Sequence, residues 1–194
     1  MRILTILGSP RKLGNTATVL AEFERAVGVE HQLQHVDLRS KDIGECVGCL
    51  ACQWVPDTPG CMRKDDALDI FDAMIGADLV VYAAPVYSWS FPSRMKALID
   101  RELCLAKYPE DRLLQSLVAR KHAALLMTCG GAAGRNADLP EQAFRRQMDY
   151  QERTVMGVYV VDNCTTPRAL GDRAKEMATL MAADVNMLAR ELGV

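Results

Sequence analysis

Apolar positions along this chain fall into two alternating patterns. Five short runs read as strands: 2–7 (Arg-Ile-Leu-Thr-Ile-Leu), 31–38, 78–84 (Asp-Leu-Val-Val-Tyr-Ala-Ala), 122–128 (His-Ala-Ala-Leu-Leu-Met-Thr) and 154–161. The first and third are nearly continuous in apolar residues, as strands covered on both faces of a parallel sheet are, whereas 31–38 alternates like an edge strand with one covered face. Between the strands lie segments with helical spacing: 16–27, a helix capped by Asp65 and Asp66 and running to Ala77, a helix after Pro92, then 140–151 and 168–192. Leu68, Phe71, Met74 and Ile75 mark one face of the second helix, and Leu170, Ala174, Met177, Met181, Val185 and Leu188 form a core stripe on the last. Residues 106–117 form a polar connection with helical leanings. Strands alternating with helices predict an α/β fold in one domain, 1–194: a doubly wound five-stranded parallel sheet in the order 2-1-3-4-5, with right-handed crossovers and helices on both faces.

Composition supports that picture and narrows the partners. A chain of 194 residues, 49% hydrophobic, is long enough for a large α/β core. A net charge of -2 and a pI near 5.9 argue against nucleic acid or an anionic membrane as the principal partner. The amino terminus enters a strand at once, without signal-peptide features, and no apolar run is long enough to span a bilayer, so a soluble cytoplasmic protein is expected. Seven cysteines, an odd number, point to reduced thiols, metal ligation or redox chemistry and away from a disulfide framework.

The first strand feeds directly into Gly8-Ser9-Pro10-Arg11-Lys12-Leu13-Gly14-Asn15-Thr16, and that turn opens a helix. Unpaired N–H groups and the positive end of the helix dipole favour an anion there. Ser9, Asn15 and Thr16 add polar donors, Arg11 and Lys12 add charge, and no carboxylate lies between Met1 and Ala21. Gly14 is followed by asparagine, not lysine, which excludes a Walker loop, and the Gly-x-Gly-x-x-Gly dinucleotide fingerprint is missing. What remains is a cradle for one terminal phosphate, of the kind that holds a flavin mononucleotide in a doubly wound sheet. A capped turn with incidental basic residues, or a binding protein for another phosphate ligand, stays open at this point.

Residues 42–64 show little regular pattern yet carry Cys46, Cys49, Cys52 and Cys61, a Cys-x-x-Cys-x-x-Cys run followed by a fourth cysteine. A connection this long is uncommon unless it acts. Such spacing lets one loop aim three thiolates at one point and could seat a [4Fe-4S] cluster. A zinc site, a regulatory dithiol and a cysteine loop without metal are the alternatives. Cys104, Cys129 and Cys164 show no mutual pattern and are expected to be buried thiols, with Cys129 set apart because it opens the glycine-rich turn Cys129-Gly130-Gly131. His31 and His35 read as two exposed strand histidines with no carboxylate patterned beside them.

The segment Pro85-Val86-Tyr87-Ser88-Trp89 follows the third strand, at the strand end where open α/β sheets bind ligands, and Tyr87 and Trp89 could flank a planar ring. Two stretches carry a family resemblance. Gly8-Ser9-Pro10-Arg11-Lys12-x-Gly14-Asn15-Thr16 resembles the start of the flavodoxin-like NAD(P)H-dependent FMN reductases, in particular their iron-sulfur flavoprotein branch, and Pro85-x-Tyr87 leading to Pro92-x-x-x-Lys96-x-x-x-Asp100-Arg101 resembles that family's ring-embracing segment. The resemblance implies FMN as cofactor, NAD(P)H as donor and a quinone-like or flavin acceptor. It further implies a homodimer or homotetramer with the flavin near a subunit interface. Ser9, Arg11, Lys12, Gly14, Asn15 and Thr16 would then hold the phosphate. Residues Pro85, Val86, Tyr87, Ser88 and Trp89 would embrace the ring, and Cys129, Gly130 and Gly131 would meet its polar edge. The flavin carries the chemistry, so no acid–base pair is expected. The gap before Cys61 is longer than is usual in the iron-sulfur branch; a cluster on the four cysteines would make a ferredoxin-like protein the electron partner. Lys96, Asp100 and Arg101 share one helical face and are expected to fix the helix or meet a partner subunit.

Overall fold

The computed structural model describes residues 1–108 and 114–194. Strands β1 (Arg2–Leu7), β2 (Gln32–Asp37), β3 (Leu79–Pro85), β6 (His122–Thr128) and β7 (Thr154–Val161) form one parallel sheet in the order β2-β1-β3-β6-β7, the doubly wound order that the alternating pattern predicts. Side chains alternate across it. Ile3, Leu7, Leu79, Val81 and Leu126 pack beneath α1 (Asn15–Val27) and α5 (Arg173–Leu192), while Leu4, Ile6, Val80, Tyr82 and Leu125 face α2 (Ala67–Gly76), α3 (Ser93–Arg101) and α4 (Asp138–Tyr150). Both faces of the central strands are thus dry, which is why their sequences read as nearly continuous apolar runs. No described helix is long and apolar enough to cross a membrane.

Three local expectations are corrected. The connection 106–117 contains no described helix; its ends pair as a two-stranded antiparallel ladder, β4 (Ala106–Lys107) with β5 (Gln115–Ser116), and 109–113 lie outside the described residues. The last helix does not start at residue 168: a 3-10 turn spans Pro167–Ala169, and Gly171, with φ of +52°, breaks the path before α5 begins at Arg173. At α2 the two aspartates divide their roles. Asp65 Oδ1 accepts from Ala67 N at 3.2 Å, whereas Asp66 Oδ2 accepts from Asp42 N at 2.7 Å. The buried face of α2 is Ala67, Ile70, Phe71 and Met74, with Leu68 and Ile75 only flanking it.

The edge-strand histidines also have partners that spacing does not show. His31 Nε2 lies 3.1 Å from Asn186 Oδ1 of α5, and His35 Nδ1 lies 2.6 Å from Glu24 Oε1 of α1, which also accepts from the buried Thr5 hydroxyl at 2.5 Å. The Glu24 hydrogen bond raises the His35 pKa above its ordinary value, against a smaller opposing effect of burial. A raised folded-state pKa gives stability that is complete below the unfolded value, about pH 6.5, and disappears as pH climbs through the folded value. His35→Gln is therefore expected to lower the urea midpoint at pH 5.5 and to leave it unchanged at pH 9. His35 is half exposed, so solvent screening keeps the difference under about 1 kcal/mol. An equal offset at both pH values would dissociate His35 from the effect.

Candidate functional site

Three loops meet outside the carboxyl ends of β1, β3 and β6 and enclose a polar cleft of about 140 Å³. The first is the turn into α1. Gly14 is the residue before the helix, in an extended conformation (φ −89°, ψ 165°), and no side chain caps the helix or places a carboxylate in its first turn. The leading N–H groups of α1 therefore open onto the cleft with the positive end of the helix dipole behind them. A Cβ on Gly14 would come within 3.1 Å of Arg11 Cβ and 3.3 Å of Ser9 Oγ, so a side chain here is accommodated if those neighbours shift by a few tenths of an ångström. Ser9 is buried and its hydroxyl accepts from Arg11 N at 3.2 Å, shaping the loop from within.

Asn15 and Thr16 are both at the cleft but differ in what they offer. Asn15 Nδ2 donates to the carbonyls of Cys164 (2.6 Å) and Thr166 (3.3 Å), which pins the loop after β7 and fixes the orientation of the amide. Its Oδ1 is buried without a partner. With both amide hydrogens directed at those carbonyls, the side chain turns an acceptor, not a donor, toward any ligand. The Thr16 hydroxyl lies 2.6 Å from the Thr128 hydroxyl, both buried. Only one of the two O–H groups is spent on the other, leaving one to donate to a ligand.

Pro85, Val86 and Tyr87 line the cleft from the second loop, and Cys129 and Gly130 from the third. Four of the sequence-selected residues stand outside it. Lys12 points to solvent, and reciprocal backbone bonds between Tyr87 and Ser90 (3.0 and 2.9 Å) make a tight turn that lifts Ser88 and Trp89 away, both with positive φ. The Trp89 indole instead donates to Arg135 O at 2.9 Å, joining the second loop to the third. Gly131 sits behind Gly130, its carbonyl accepting from the Cys129 thiol at 3.2 Å. Conversely Thr128, Cys164 and Thr165 line the cleft without having been marked in the sequence. Thr128 closes an apolar strand just before a glycine turn, a readable signal; the loop after β7 offers only its place at a strand's carboxyl end. Burial raises the thiol pKa values of Cys129 and Cys164, so both face the cleft as neutral thiols.

The second feature is the cysteine loop. Cys46, Cys49, Cys52 and Cys61 line a single cavity of about 220 Å³ whose remaining wall is largely apolar (Val47, Leu50, Met62, Leu103), and the buried Cys104 joins them. Burial drives the Cys104 thiol far above its ordinary pKa, with Cys61 and Cys52 adding to the effect. The loop is fastened from below. Gln53 Nε2 donates to Ala106 O at 3.0 Å, and Lys107, itself 1% exposed, donates from Nζ to the carbonyls of Cys52 (2.8 Å) and Pro59 (3.0 Å). Among the described residues, no three His, Cys, Asp or Glu side chains converge closely enough to hold a metal as they stand. The expectation for α3 is corrected here. Lys96 and Asp100 do pair on the surface at 2.5 Å, but Arg101 turns inward, is 1% exposed in its side chain, and pairs with Asp65 at 2.5 Å beside the cysteines.

Comparison with known proteins agrees with this arrangement. An iron-sulfur flavoprotein of Methanosarcina thermophila is 34% identical over 108 residues, 55% of this chain and 55% of that protein. FMN-dependent NADH:quinone oxidoreductase 2 of Pseudomonas fluorescens (strain Pf0-1) is 36% identical over 90 residues, 44% of this chain and 45% of that one. The chain spans about half the length of the curated relatives it matches. Among solved structures, an FMN-dependent NADH-azoreductase from Bacillus anthracis, crystallised with FMN, has a TM-score of 0.68 over 95% of this chain and 98% of its own at 12% identity, a likeness of fold. The family model for NADPH-dependent FMN reductase matches residues 1–165, and the chain belongs to that family.

Proposed function

We propose that this protein is an FMN-dependent oxidoreductase that takes electrons from NAD(P)H and delivers them to a quinone-like or flavin acceptor. The observation that carries this reading is the uncapped head of α1 opening onto a cleft walled by three strand-end loops. The residues present fit FMN group by group. The leading N–H groups of α1, Arg11 and the spare hydroxyl of the Thr16–Thr128 pair suit a phosphate dianion; the orphaned Asn15 Oδ1 suits a ribityl hydroxyl; Pro85 to Tyr87 and the backbone at Gly130 suit a planar heterocycle and its polar edge. Bound FMN supplies the redox chemistry, accepting hydride and passing electrons on singly or in pairs. The chain's own work is to hold, orient and partly cover it. Glycine at 130 keeps that backbone bare, and a Cβ there would sit 3.1 Å from Thr165. Tyr87, 41% exposed at the cleft mouth, leaves room for a second copy of the chain in a homo-oligomer.

Thr16→Val, close in shape but without the hydroxyl, is expected to weaken FMN binding about tenfold, the loss of one hydrogen bond to a charged group. Turnover at saturating FMN, followed as NAD(P)H oxidation with a quinone, should stay near wild type. Unchanged FMN affinity would remove the threonine pair from the site, and NAD(P)H oxidation independent of flavin would overturn the reading.

A second reading is favoured by the placement of all four motif cysteines on one cavity: a [4Fe-4S] cluster there, exchanging electrons with a ferredoxin-like protein. The all-sulfur donor set and the cation beside Cys61 suit such a group. The sulfurs share the cavity without converging, so the loop has to close for all four to reach one cluster. Iron and acid-labile sulfide in protein purified without oxygen decide between a clustered and a cluster-free loop.

A further inference from the structure

We propose that Arg101 is a positioning residue for the fourth sulfur of the cysteine cavity, tethering Cys61 at the cavity wall that the other three share and presenting a free N–H to the group they would ligate; this rests on the cluster reading above. Cys46, Cys49 and Cys52 come from one short limb of the loop and line one cavity, although their sulfurs do not converge as they stand. Cys61 arrives from the other limb after an extended gap. Arg101 joins the two limbs: Nη1 donates to Asp65 Oδ2 at 2.5 Å and to Gly44 O at 3.3 Å, and Nη2 donates to Cys61 Sγ at 3.5 Å. Asp65 completes the clamp by accepting from Gly44 N at 3.0 Å. The guanidinium carbon also lies 5.8 Å over the Phe71 ring, which fixes the side chain against α2.

Two features exceed what loop fastening requires. Arg101 Nε is buried at the cavity wall with no partner, a costly arrangement in a finished core and an ordinary one where a ligand supplies the acceptor. A second buried cation, Lys107, holds the same loop and has no carboxylate partner among the described residues. Arg101 is balanced by Asp65, but Lys107 behind the same thiols has only carbonyl partners among the described residues; a cluster ligated by four thiolates is net anionic and would compensate it. Hydrogen bonds from such outer residues set both the retention of a metal group and its potential.

The test uses the full chain with FMN bound, reconstituted without oxygen using ferrous iron and sulfide, as wild type, Arg101→Lys and Arg101→Met. Iron and sulfide per chain, the chelator concentration that strips half the iron, and the midpoint potential are read, with FMN per chain as the measure of an intact fold. Arg101→Met is expected to lose iron at a chelator concentration about 10- to 100-fold below wild type and to shift the potential downward, since a cation beside an anionic group is gone. Arg101→Lys keeps the charge but not the fork, so it should recover most of the potential and little of the resistance to chelator. Wild-type resistance and potential in Arg101→Met overturn the proposal and leave the cluster reading standing. A wild-type chain that takes up no iron overturns the cluster reading and the role of Arg101 with it. If Arg101→Met loses FMN as well, Arg101→Lys decides: full FMN with reduced chelator resistance supports the proposal, and wild-type resistance overturns it.

Discussion

Gly14→Asp is expected to cut FMN affinity by at least about 100-fold while leaving the fold as stable as before. Aspartate is among the best residues for the position before a helix, and the backbone there is extended with negative φ, so the change is compatible with α1. The new Cβ requires Arg11 and Ser9 to yield by a few tenths of an ångström, which an exposed arginine on a surface turn can do. What the substitution takes away is the anion seat. The carboxylate would accept the leading N–H groups of α1 and place negative charge where the proposed phosphate site lies, and like charges brought together cost several kcal/mol. Flavin fluorescence titration and the urea midpoint, measured on the same protein, separate the two effects. Wild-type FMN affinity in Gly14→Asp would show that the phosphate lies elsewhere.

Asp65→Ala is expected to carry the largest stability cost outside the apolar core, about 3–5 kcal/mol, because it leaves the Arg101 guanidinium buried and uncompensated. That is a large share of what a domain of ordinary stability possesses. The same substitution unfastens Gly44 and the start of α2, so limited proteolysis within 44–64 should accelerate. Acid sensitivity gives a second check. Burial alone would raise the Asp65 pKa, but hydrogen bonds from Arg101, Gly44 N and Ala67 N outweigh it and hold the carboxyl below its ordinary value. A depressed pKa contributes stability above the unfolded value, about pH 4, that is lost as pH falls through the folded one. The wild-type urea midpoint should therefore drop along this acid limb, and the Asp65→Ala midpoint should drop less. Parallel pH profiles would show that the pair contributes nothing.

The sheet was readable because covering both faces of β1 and β3 leaves almost no polar position to interrupt the pattern, Thr5 being the buried exception, and the edge position of β2 was readable from its alternation. The uncapped start of α1 at the cleft was readable for a similar reason: it is built locally, by consecutive residues in one turn. Features that depend on distant partners were not. Arg101 follows Lys96 and Asp100 at helical spacing and so reads as surface, and only the fold brings Asp65, 36 positions earlier, beneath it. Cys104 carries no motif and reaches the cysteine cavity because the chain after α3 passes under the loop. Asn15 reads as a donor, yet the carbonyls that consume its N–H groups belong to residues 164 and 166, at the far end of the sheet order. Trp89 stands outside the cleft because a left-handed turn at Ser88 and Trp89, in residues that rarely announce one, turns the indole toward Arg135.

The head of α1 is expected to hold a flavin by its phosphate. The most direct measurement is a pair of fluorescence titrations of the flavin-free chain, one with FMN and one with riboflavin, which differ only in that phosphate. FMN is expected to bind at one per chain and about 100-fold or more tighter than riboflavin, as a phosphate held by several charge-assisted hydrogen bonds requires. Gly14→Asp should bring the two affinities together. Equal affinities for FMN and riboflavin in the wild-type chain would contradict the account, because the cleft would then recognise the ring and not the phosphate.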